Sequence, residues 1–332
     1  MLSWHTLAGL IAHDADDTSD AHQRDTPARI DGMSPERSHR GILIANPRAG
    51  RGAGERGAGA LARQIADLGF DVEVAITERP GHATDLARRA VGGGAGWVFA
   101  LGGDGTVREA MAGILGTQAV LVPLPGGTTN VVAGALGLGQ DPKRTVARLD
   151  QLAVRALDVG LCDGHPFLMQ ASAGLDASVM RSLRPQWKAR LGKLEVAWSG
   201  AGTWWRYRFP EIRLVADGVE TLARGAIVAN MPFYAGQFRL IPEGRDDDGW
   251  LDLLLYNGTT RTAALSFAAA LALGRHHRRR DVEIRRVREV RIEGPPDVAL
   301  QVDGDVLLAT PPITVTLAPH RLNVLAALPL SS

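Results

Sequence analysis

Two short glycine-rich segments hold the residues best suited to chemistry: GGDGT at residues 102–106 and GGTTN at residues 126–130. Glycines permit positive φ angles and let a phosphate approach the backbone without a Cβ in the way. Backbone N–H groups at the start of a helix also attract anions. We therefore predict a phosphate cradle made by both segments, in which Thr106 caps its helix and the hydroxyls of Thr106 and Thr128 add donors.

The carboxylate of Asp104 is unusual beside a phosphate, because like charges repel. Asp104 fits such a site if a divalent cation lies between the two charges, or if its side chain holds the backbone of its own loop. A tight turn explains the first segment equally well when that segment is taken alone. The second segment favours a ligand site, because two such turns at strand ends are not expected by chance.

Strands and helices alternate across residues 41–138 and would position these segments. The pattern predicts a mainly parallel sheet covered on both faces, and ligands bind beyond the carboxyl ends of strands in such sheets. Special turns follow Ala45, Leu101 and Pro125, so we expect them to converge on one crevice. The predicted strands are ILIA, DVEVAIT, GWVFAL and AVLVPLP.

The pattern changes after about residue 155, where short apolar runs separated by turn residues are typical of an antiparallel β-sandwich. Helical patterns over residues 183–207 and 260–274 interrupt these runs. The closing run HRLNVLAAL predicts a strand that packs back on one of the domains.

The chain is therefore expected to comprise an extension and two domains. Residues 1–39 have too few apolar side chains to offset the entropy of ordering, which predicts a mobile extension. Residues 40–155, joined by about 319–328, are assigned to an α/β domain with a parallel sheet. Residues 156–318 are assigned to an antiparallel β-sandwich domain.

Composition narrows the class of protein. The 332 residues are 45% hydrophobic and 22% charged, as in soluble globular proteins, and the formal net charge of +1 gives no reason to expect nucleic acid. Cys162 is the one cysteine, which excludes an internal disulfide and favours a reducing, cytoplasmic compartment. We expect Cys162 to be buried rather than nucleophilic. The sequence contains no apolar stretch long enough to span a bilayer.

Three segments in this order and spacing resemble the diacylglycerol kinase catalytic-domain family, and in particular its bacterial soluble lipid kinases, which are related to sphingosine kinases and NAD kinases. They are ILIANPRAGRG, ALGGDGTVREAMAGI and PLPGGTTNVVAGALGL. The resemblance extends over about residues 41–328. Later segments that carry it are ASAGLDASV, RLGK, DDDGWLD and QVDGD.

The resemblance implies an NAD-kinase-like nucleotide-binding domain, a β-sandwich domain that receives the lipid, and ATP in the cleft between them. The implied activity is ATP- and Mg²⁺-dependent transfer of the γ-phosphoryl group to a hydroxyl of a diacylglycerol-like or sphingoid lipid. A catalytically weak nucleotide-binding regulator and a kinase of a soluble alcohol stay open as alternatives. The residues implied around ATP are Asn46, Thr77, Gly102, Gly103, Asp104, Gly105, Thr106 and Thr128.

The family's general base is the glutamate of a DGE segment, and QVDGD has Asp305 at that position. Asp305 and Asp104 are therefore the implied catalytic residues. Aspartate is one methylene shorter than glutamate, a shortfall of about 1.5 Å. Asp305 is accordingly either the base or a plain hairpin residue, and Asp303 is expected to form the turn.

The segment GRDDDGW holds three consecutive carboxylates. The resemblance implies a structural or regulatory magnesium site here, with the Asp248 carboxylate and the main-chain carbonyls of Arg245 and Trp250 as ligands. Ligands that are all oxygens suit a hard cation. A solvated acidic loop is the alternative.

Aromatic and basic residues together indicate peripheral contact with a membrane that holds the lipid substrate. Trp198, Trp204 and Trp205 lie near Arg206 and Arg208, and a second basic run spans Arg275 to Arg280. Core packing of the tryptophans and a solvated loop for the basic run stay open. A homodimer stays open as well.

Overall fold

The computed structural model describes residues 28–29, 39–49, 53–127, 129–182, 202, 205–234 and 238–327. The chain folds into two units, each with its own core. Unit 1 comprises Met1–Leu157 and Pro319–Ser332, and unit 2 comprises Asp158–Ala318.

Unit 1 alternates strands with helices. Its strands are β1 (Ala28–Arg29), β2 (Arg40–Ala45), β3 (Asp71–Ile76), β4 (Trp97–Gly102), β5 (Val120–Pro125) and β6 (Leu152–Leu157). Its helices are α1 (Ala53–Asp67), α2 (His82–Gly92), α3 (Asp104–Ile114), α4 (Val131–Ala135) and α5 (Pro142–Val146).

Unit 2 is built mainly from strands. They are β7 (Gly160–Cys162), β8 (His165–Phe167), β9 (Gln170–Ala173), β10 (Ile212–Ala216), β11 (Val219–Ala223), β12 (Gly225–Ala229), β13 (Phe233–Tyr234), β14 (Phe238–Arg239), β15 (Leu251–Tyr256), β16 (Val282–Val287), β17 (Glu289–Gly294), β18 (Leu300–Val302), β19 (Asp305–Leu307) and β20 (Ile313–Leu317). Its helices are α6 (Leu175–Ser182) and α7 (Arg261–Ala272). The chain then returns to unit 1 as β21 (Leu322–Ala327).

The sheet of unit 1 has the strand order β1-β6-β21-β5-β4-β2-β3. Strands β2 to β5 are parallel, and β21 runs parallel to β5 and antiparallel to β6. Every residue of β4 and β5 is buried, as expected for parallel strands covered on both faces. The predicted α/β sheet and the returning last strand are confirmed. Strand β1 pairs with β6, so Ala28 and Arg29 depart from the mobile extension predicted for residues 1–39.

Unit 2 is the predicted antiparallel sandwich. One sheet has the order β11-β10-β17-β20-β7-β8 and the other β16-β15-β12-β9-β18-β19. Apolar side chains of both sheets, among them Phe167, Leu253 and Val315, form one buried cluster. The helix predicted over 260–274 is confirmed as α7, where the Thr260 hydroxyl accepts the Ala263 N–H at 3.1 Å. Most of the helix predicted over 183–207 lies outside the described residues.

Candidate active site

The loops that follow β2, β3, β4 and β5 are held together by backbone hydrogen bonds. The Asn46 N–H donates to the Leu101 carbonyl, the Thr77 N–H to the Ala45 carbonyl, and the Gly126 N–H to the Gly102 carbonyl, each at 2.9 Å. These bonds continue the sheet ladder past the strand ends. The loops consequently meet at one edge of the sheet, as the sequence pattern predicts.

A cavity of about 330 Å³ opens at this edge. Its volume lies at the lower end of the range for small-molecule sites. Two guanidinium groups and two carboxylates line it, from Arg48, Arg79, Glu78 and Glu109. Five of the predicted nucleotide contacts also line it: Asn46, Thr77, Gly103, Gly105 and Thr106. Gly102 is the last residue of β4 and is not among the residues that line the cavity, and Thr128 lies outside the described residues.

Thr106 is buried in the first turn of α3, where its hydroxyl oxygen accepts the Asn46 side-chain N–H at 3.1 Å. The prediction that Thr106 caps this helix is wrong. Helix α3 begins two residues earlier at Asp104, and Gly103 is its N-cap with an extended backbone. The N-terminal N–H groups of a helix that starts at Asp104 lie at the cavity edge, where they favour an anion.

Asp104 holds the second glycine-rich loop rather than its own. One carboxylate oxygen accepts the Val132 N–H at 2.9 Å, and the other accepts the Thr129 hydroxyl at 3.3 Å. Val132 is in the first turn of α4, so Asp104 satisfies an N–H that the short helix cannot pair by itself. The two glycine-rich segments are therefore physically joined through this side chain.

Close packing, and not positive φ, requires glycine at Gly102 of the first segment and at Gly127 of the second. Gly102, Gly103 and Gly105 are absent from the residues with positive φ, which corrects the sequence expectation. A Cβ on Gly102 would lie 2.4 Å from the Thr106 hydroxyl oxygen, and one on Gly127 would lie 2.6 Å from the Gly103 Cα. The two loops thus approach each other backbone to backbone.

Asn130 is a structural residue that the sequence analysis missed. Its side chain accepts the Gly127 N–H at 2.6 Å and donates to the Gly127 carbonyl at 3.0 Å and to Gln140 at 2.9 Å. It is buried and has a φ of 47°. Asparagine adopts the left-handed conformation more readily than most residues do. An asparagine at the end of a glycine-rich turn is therefore the signal that could have identified Asn130.

Asp303 forms the hairpin turn, as predicted. Asp303 and Gly304 have φ angles of 49° and 83°, and Val302 pairs with Asp305 across the two-residue turn. The Asp303 carboxylate also accepts three backbone N–H groups at 2.9–3.0 Å, from Leu168, Met169 and Gln170. Asp305 is exposed as the first residue of β19, and its role as base stays a prediction.

Gln301, a buried residue of β18, holds the same hairpin from the inside and was not identified from the sequence. Its carbonyl oxygen accepts the Gly304 N–H at 2.6 Å, and its amide donates at 2.9 Å to Ser172 and to Asp176. Asp176 also accepts the Tyr234 hydroxyl. Burial raises the pKa of Tyr234 well above its ordinary value, and Asp176 adds to the effect. Tyr234 therefore stays a protonated donor in this network.

Two carboxylates of the acidic loop are paired with arginines. The Asp248 carboxylate is paired with the Arg286 guanidinium and accepts the Trp250 N–H at 3.2 Å, while Arg245 pairs with Asp247 at 3.0 Å. Within the described ranges, no group of three or more His, Cys, Asp or Glu side chains could hold a metal ion. The Arg286 guanidinium therefore occupies one oxygen of the Asp248 carboxylate. The assignment of Asp248, Arg245 and Trp250 to the ion stays a prediction.

Two further sequence expectations concern Cys162 and the tryptophans. Cys162 is buried as predicted, and burial, with Asp163 nearby, raises the pKa of its thiol to about 12. Trp205 is 65% exposed, with the Arg261 guanidinium 5.1 Å from its ring centre. Trp198 and Trp204 lie outside the described residues.

Comparison with known proteins matches both halves of the chain to families. The model of the diacylglycerol kinase catalytic domain matches residues 40–162, and that of the YegS C-terminal NAD kinase β-sandwich-like domain matches residues 169–326. A diacylglycerol kinase of Mycobacterium tuberculosis is 29% identical over 294 residues, which cover 85% of this chain and 93% of that protein.

A protein of Pseudomonas aeruginosa named "probable lipid kinase YegS-like" is 32% identical over 211 residues, which cover 61% of this chain and 68% of the relative. Among solved structures, a diacylglycerol kinase of Bacillus anthracis superposes with a TM-score of 0.63 at 20% identity, covering 87% of this chain and 97% of that one. At that identity the superposition establishes the fold alone.

Proposed function

Because the chain belongs to the diacylglycerol kinase catalytic-domain family, we propose that it transfers the γ-phosphoryl group of ATP to a hydroxyl of a diacylglycerol-like or sphingoid lipid. The observation that carries this proposal is the cavity at the strand ends of unit 1, which five of the predicted nucleotide contacts line. We further propose that the protein is cytoplasmic and reaches its substrate at a membrane surface.

The residues around the cavity have the properties that a triphosphate requires. The N-terminus of α3 supplies backbone N–H groups and a partial positive charge. Thr106 adds a hydroxyl and Arg48 adds positive charge, while the guanidinium of Arg79 is paired with Asp85 at 2.7 Å. Asp104 fixes the second loop against the first, which limits the reorganisation needed when a nucleotide binds.

Phosphoryl transfer forms a bond between the acceptor oxygen and the γ-phosphorus and breaks the bond to the bridging β–γ oxygen, so that ADP leaves. The acceptor hydroxyl loses its proton in this step, and we assign Asp305 as the carboxylate that accepts it. Magnesium, when bound with the nucleotide, would neutralise phosphate charge. The hairpin residues Asp303 and Gln301 orient the strand on which Asp305 lies.

A catalytically weak nucleotide-binding protein is the second candidate, and one observation favours it. Asp305 is one methylene shorter than the family's glutamate, and its hairpin is anchored by the side chains of Asp303 and Gln301. These bonds restrain the hairpin within unit 2. A misplacement of about 1 Å can lower a rate on the order of a hundredfold.

The test is transfer of ³²P from γ-labelled ATP to a panel of lipids by the purified full chain. The proposal expects label in a diacylglycerol or a sphingoid base, and loss of that label in Asp104→Ala. Calorimetric binding of ATP without transfer to any lipid would favour the second candidate. Equal labelling by Asp104→Ala would refute the assigned role of Asp104.

A further inference from the structure

Helix α7 is apolar around most of its circumference, although it lies at the surface of unit 2. Its inner residues Ala264, Phe267 and Leu271 pack against the outside of a sandwich sheet, together with Tyr256 and Leu254. The Thr260 hydroxyl caps its N-terminus. The packing of the inner face against the sheet therefore accounts for the position of the helix. It does not account for the apolar residues of the outer face.

The α7 outer face consists of Leu265, Ala268, Ala269 and Ala272 together with the C-cap residue Leu273, all of which are exposed. Their spacing of three, four, seven and eight residues from Leu265 puts them on one side of a helix. Leu265 is 62% exposed and Leu273 is 70% exposed. A contiguous exposed apolar face of this kind marks an interaction site more often than a single exposed leucine does.

Basic groups flank the α7 outer face at both ends. Arg261 lies at the N-terminal end over the ring of Trp205, which is 65% exposed. Arg275, Arg278 and Arg280 are exposed just beyond the C-terminal end. The sequence has no acidic residue between Tyr256 and Asp281, and Asp281 pairs with Arg279. The segment from Arg261 to Arg280 is thus apolar in the middle and positive at both ends.

The dimensions of α7 suit a position on a bilayer and not across it. Its 12 residues extend about 18 Å, against the roughly 30 Å of a hydrocarbon core. None of the helices in the described part of the chain is long and apolar enough to cross a membrane. A short helix with an apolar face, basic ends and an exposed tryptophan beside it has the features of helices that lie in the membrane interface.

We propose that the α7 outer face is a docking surface for an anionic bilayer, into which Leu265 and Leu273 insert while the arginines contact lipid phosphates. The biological reason for docking rests on the proposed lipid kinase function. A second copy of this chain fits the surface less well. In a parallel or an antiparallel helix pair, the positive ends of one copy would meet those of the other.

The test measures co-sedimentation of the full chain with vesicles of phosphatidylcholine alone or mixed with phosphatidylglycerol, without ATP. The wild-type chain is expected to bind the anionic vesicles, and less so as salt is raised. The double variant Leu265→Gln/Leu273→Gln should bind on the order of tenfold more weakly. The matched control is Leu222→Gln, which replaces a 53% exposed leucine of β11 and should bind like the wild type.

Equal melting temperatures of the three proteins would exclude unfolding as the cause of lost binding. Wild-type-like binding by the double variant would overturn the docking surface. The docking surface would also be overturned if the wild-type chain were a dimer in analytical ultracentrifugation and the double variant a monomer. The surface would then be occupied by a second copy. Vesicle binding without phosphoryl transfer to any lipid would instead contradict the proposed function and leave the docking surface supported.

Discussion

The carboxylate of Asp104 accepts the backbone N–H of Val132 at 2.9 Å, which joins the start of α3 to the start of α4. The two residues belong to different glycine-rich segments, 28 positions apart in the chain. Both turns are rich in glycine, and this bond fixes one against the other at the edge of the sheet. It also means that Asp104 has a structural task in addition to any part in catalysis.

The variants Asp104→Ala and Asp104→Asn should separate these two tasks. Alanine leaves the buried Val132 N–H without its acceptor, which should lower the free energy of unfolding by about 1–3 kcal/mol. Asparagine keeps an acceptor oxygen and should cost less. Both variants should lose phosphoryl transfer if the negative charge is required. Chemical denaturation and the labelled-ATP assay measure the two effects, and an active Asp104→Asn would contradict the need for charge.

Gly102→Ala should destabilise unit 1 and weaken ATP binding. The added Cβ would lie 2.4 Å from the Thr106 hydroxyl oxygen, and such overpacking costs about 1–3 kcal/mol. Gly59→Ala in α1 is the control, because nothing lies within 4 Å of its added Cβ. It should stabilise the helix by about 0.5–1 kcal/mol. Thermal melting and ATP calorimetry would detect both changes, and equal effects of the two variants would disprove the close-packing explanation.

Asp305→Glu should raise kcat for phosphoryl transfer on the order of tenfold if the short side chain limits the reach of the base. Asp305→Asn should lower kcat about a hundredfold or more, because an amide cannot accept the proton. Neither variant should change the melting temperature, since Asp305 is exposed. Steady-state kinetics on the best lipid of the panel would measure both. An Asp305→Asn protein with wild-type kcat would show that another group is the base.

His276 should make unit 2 sensitive to acid. Burial lowers the pKa of this imidazole, His277 lowers it further, and the bond to the Leu240 carbonyl at 2.6 Å opposes the shift. Its other ring nitrogen has no partner among the described residues, so protonation would bury an unpaired N–H. The unfolded chain therefore binds the proton more readily than the native chain does, and stability should fall as pH drops below about 6.5.

The matched variant is His276→Gln, which can still donate to the Leu240 carbonyl but cannot be protonated. Its free energy of unfolding should fall less steeply than that of the wild type between pH 7.5 and pH 5. Urea denaturation at several pH values would give the two slopes. Parallel slopes would show that His276 does not contribute to the acid sensitivity.

Much of the fold could be predicted because local patterns and global structure agree. Alternating apolar strands and amphipathic helices predicted the parallel sheet, and the turns after Ala45, Leu101 and Pro125 predicted where its loops would meet. The turn at Asp303 could be predicted for a similar reason. Asp-Gly between two short apolar runs favours a two-residue hairpin whatever the rest of the chain does.

Side-chain roles that depend on distant partners could not be predicted in this way. Gln301 is a polar residue in an apolar strand, and its bonds to Ser172 and Asp176 span 129 and 125 positions of sequence. Arg286 pairs with Asp248 across 38 positions of sequence. Neither contact has a periodicity or a motif that a reader of the sequence could detect.

The sequence by itself determined the two architectures and the positions of the glycine-rich turns, because hydrophobic periodicity and backbone chemistry act over a few residues. Only the tertiary structure decided what those residues contact. It assigned Asp104 to the second loop, Gly102 and Gly127 to close approach rather than to positive φ, and an exposed apolar face to α7. These outcomes depend on which surfaces the fold brings together and which it leaves in water, and that is a property of the packed chain.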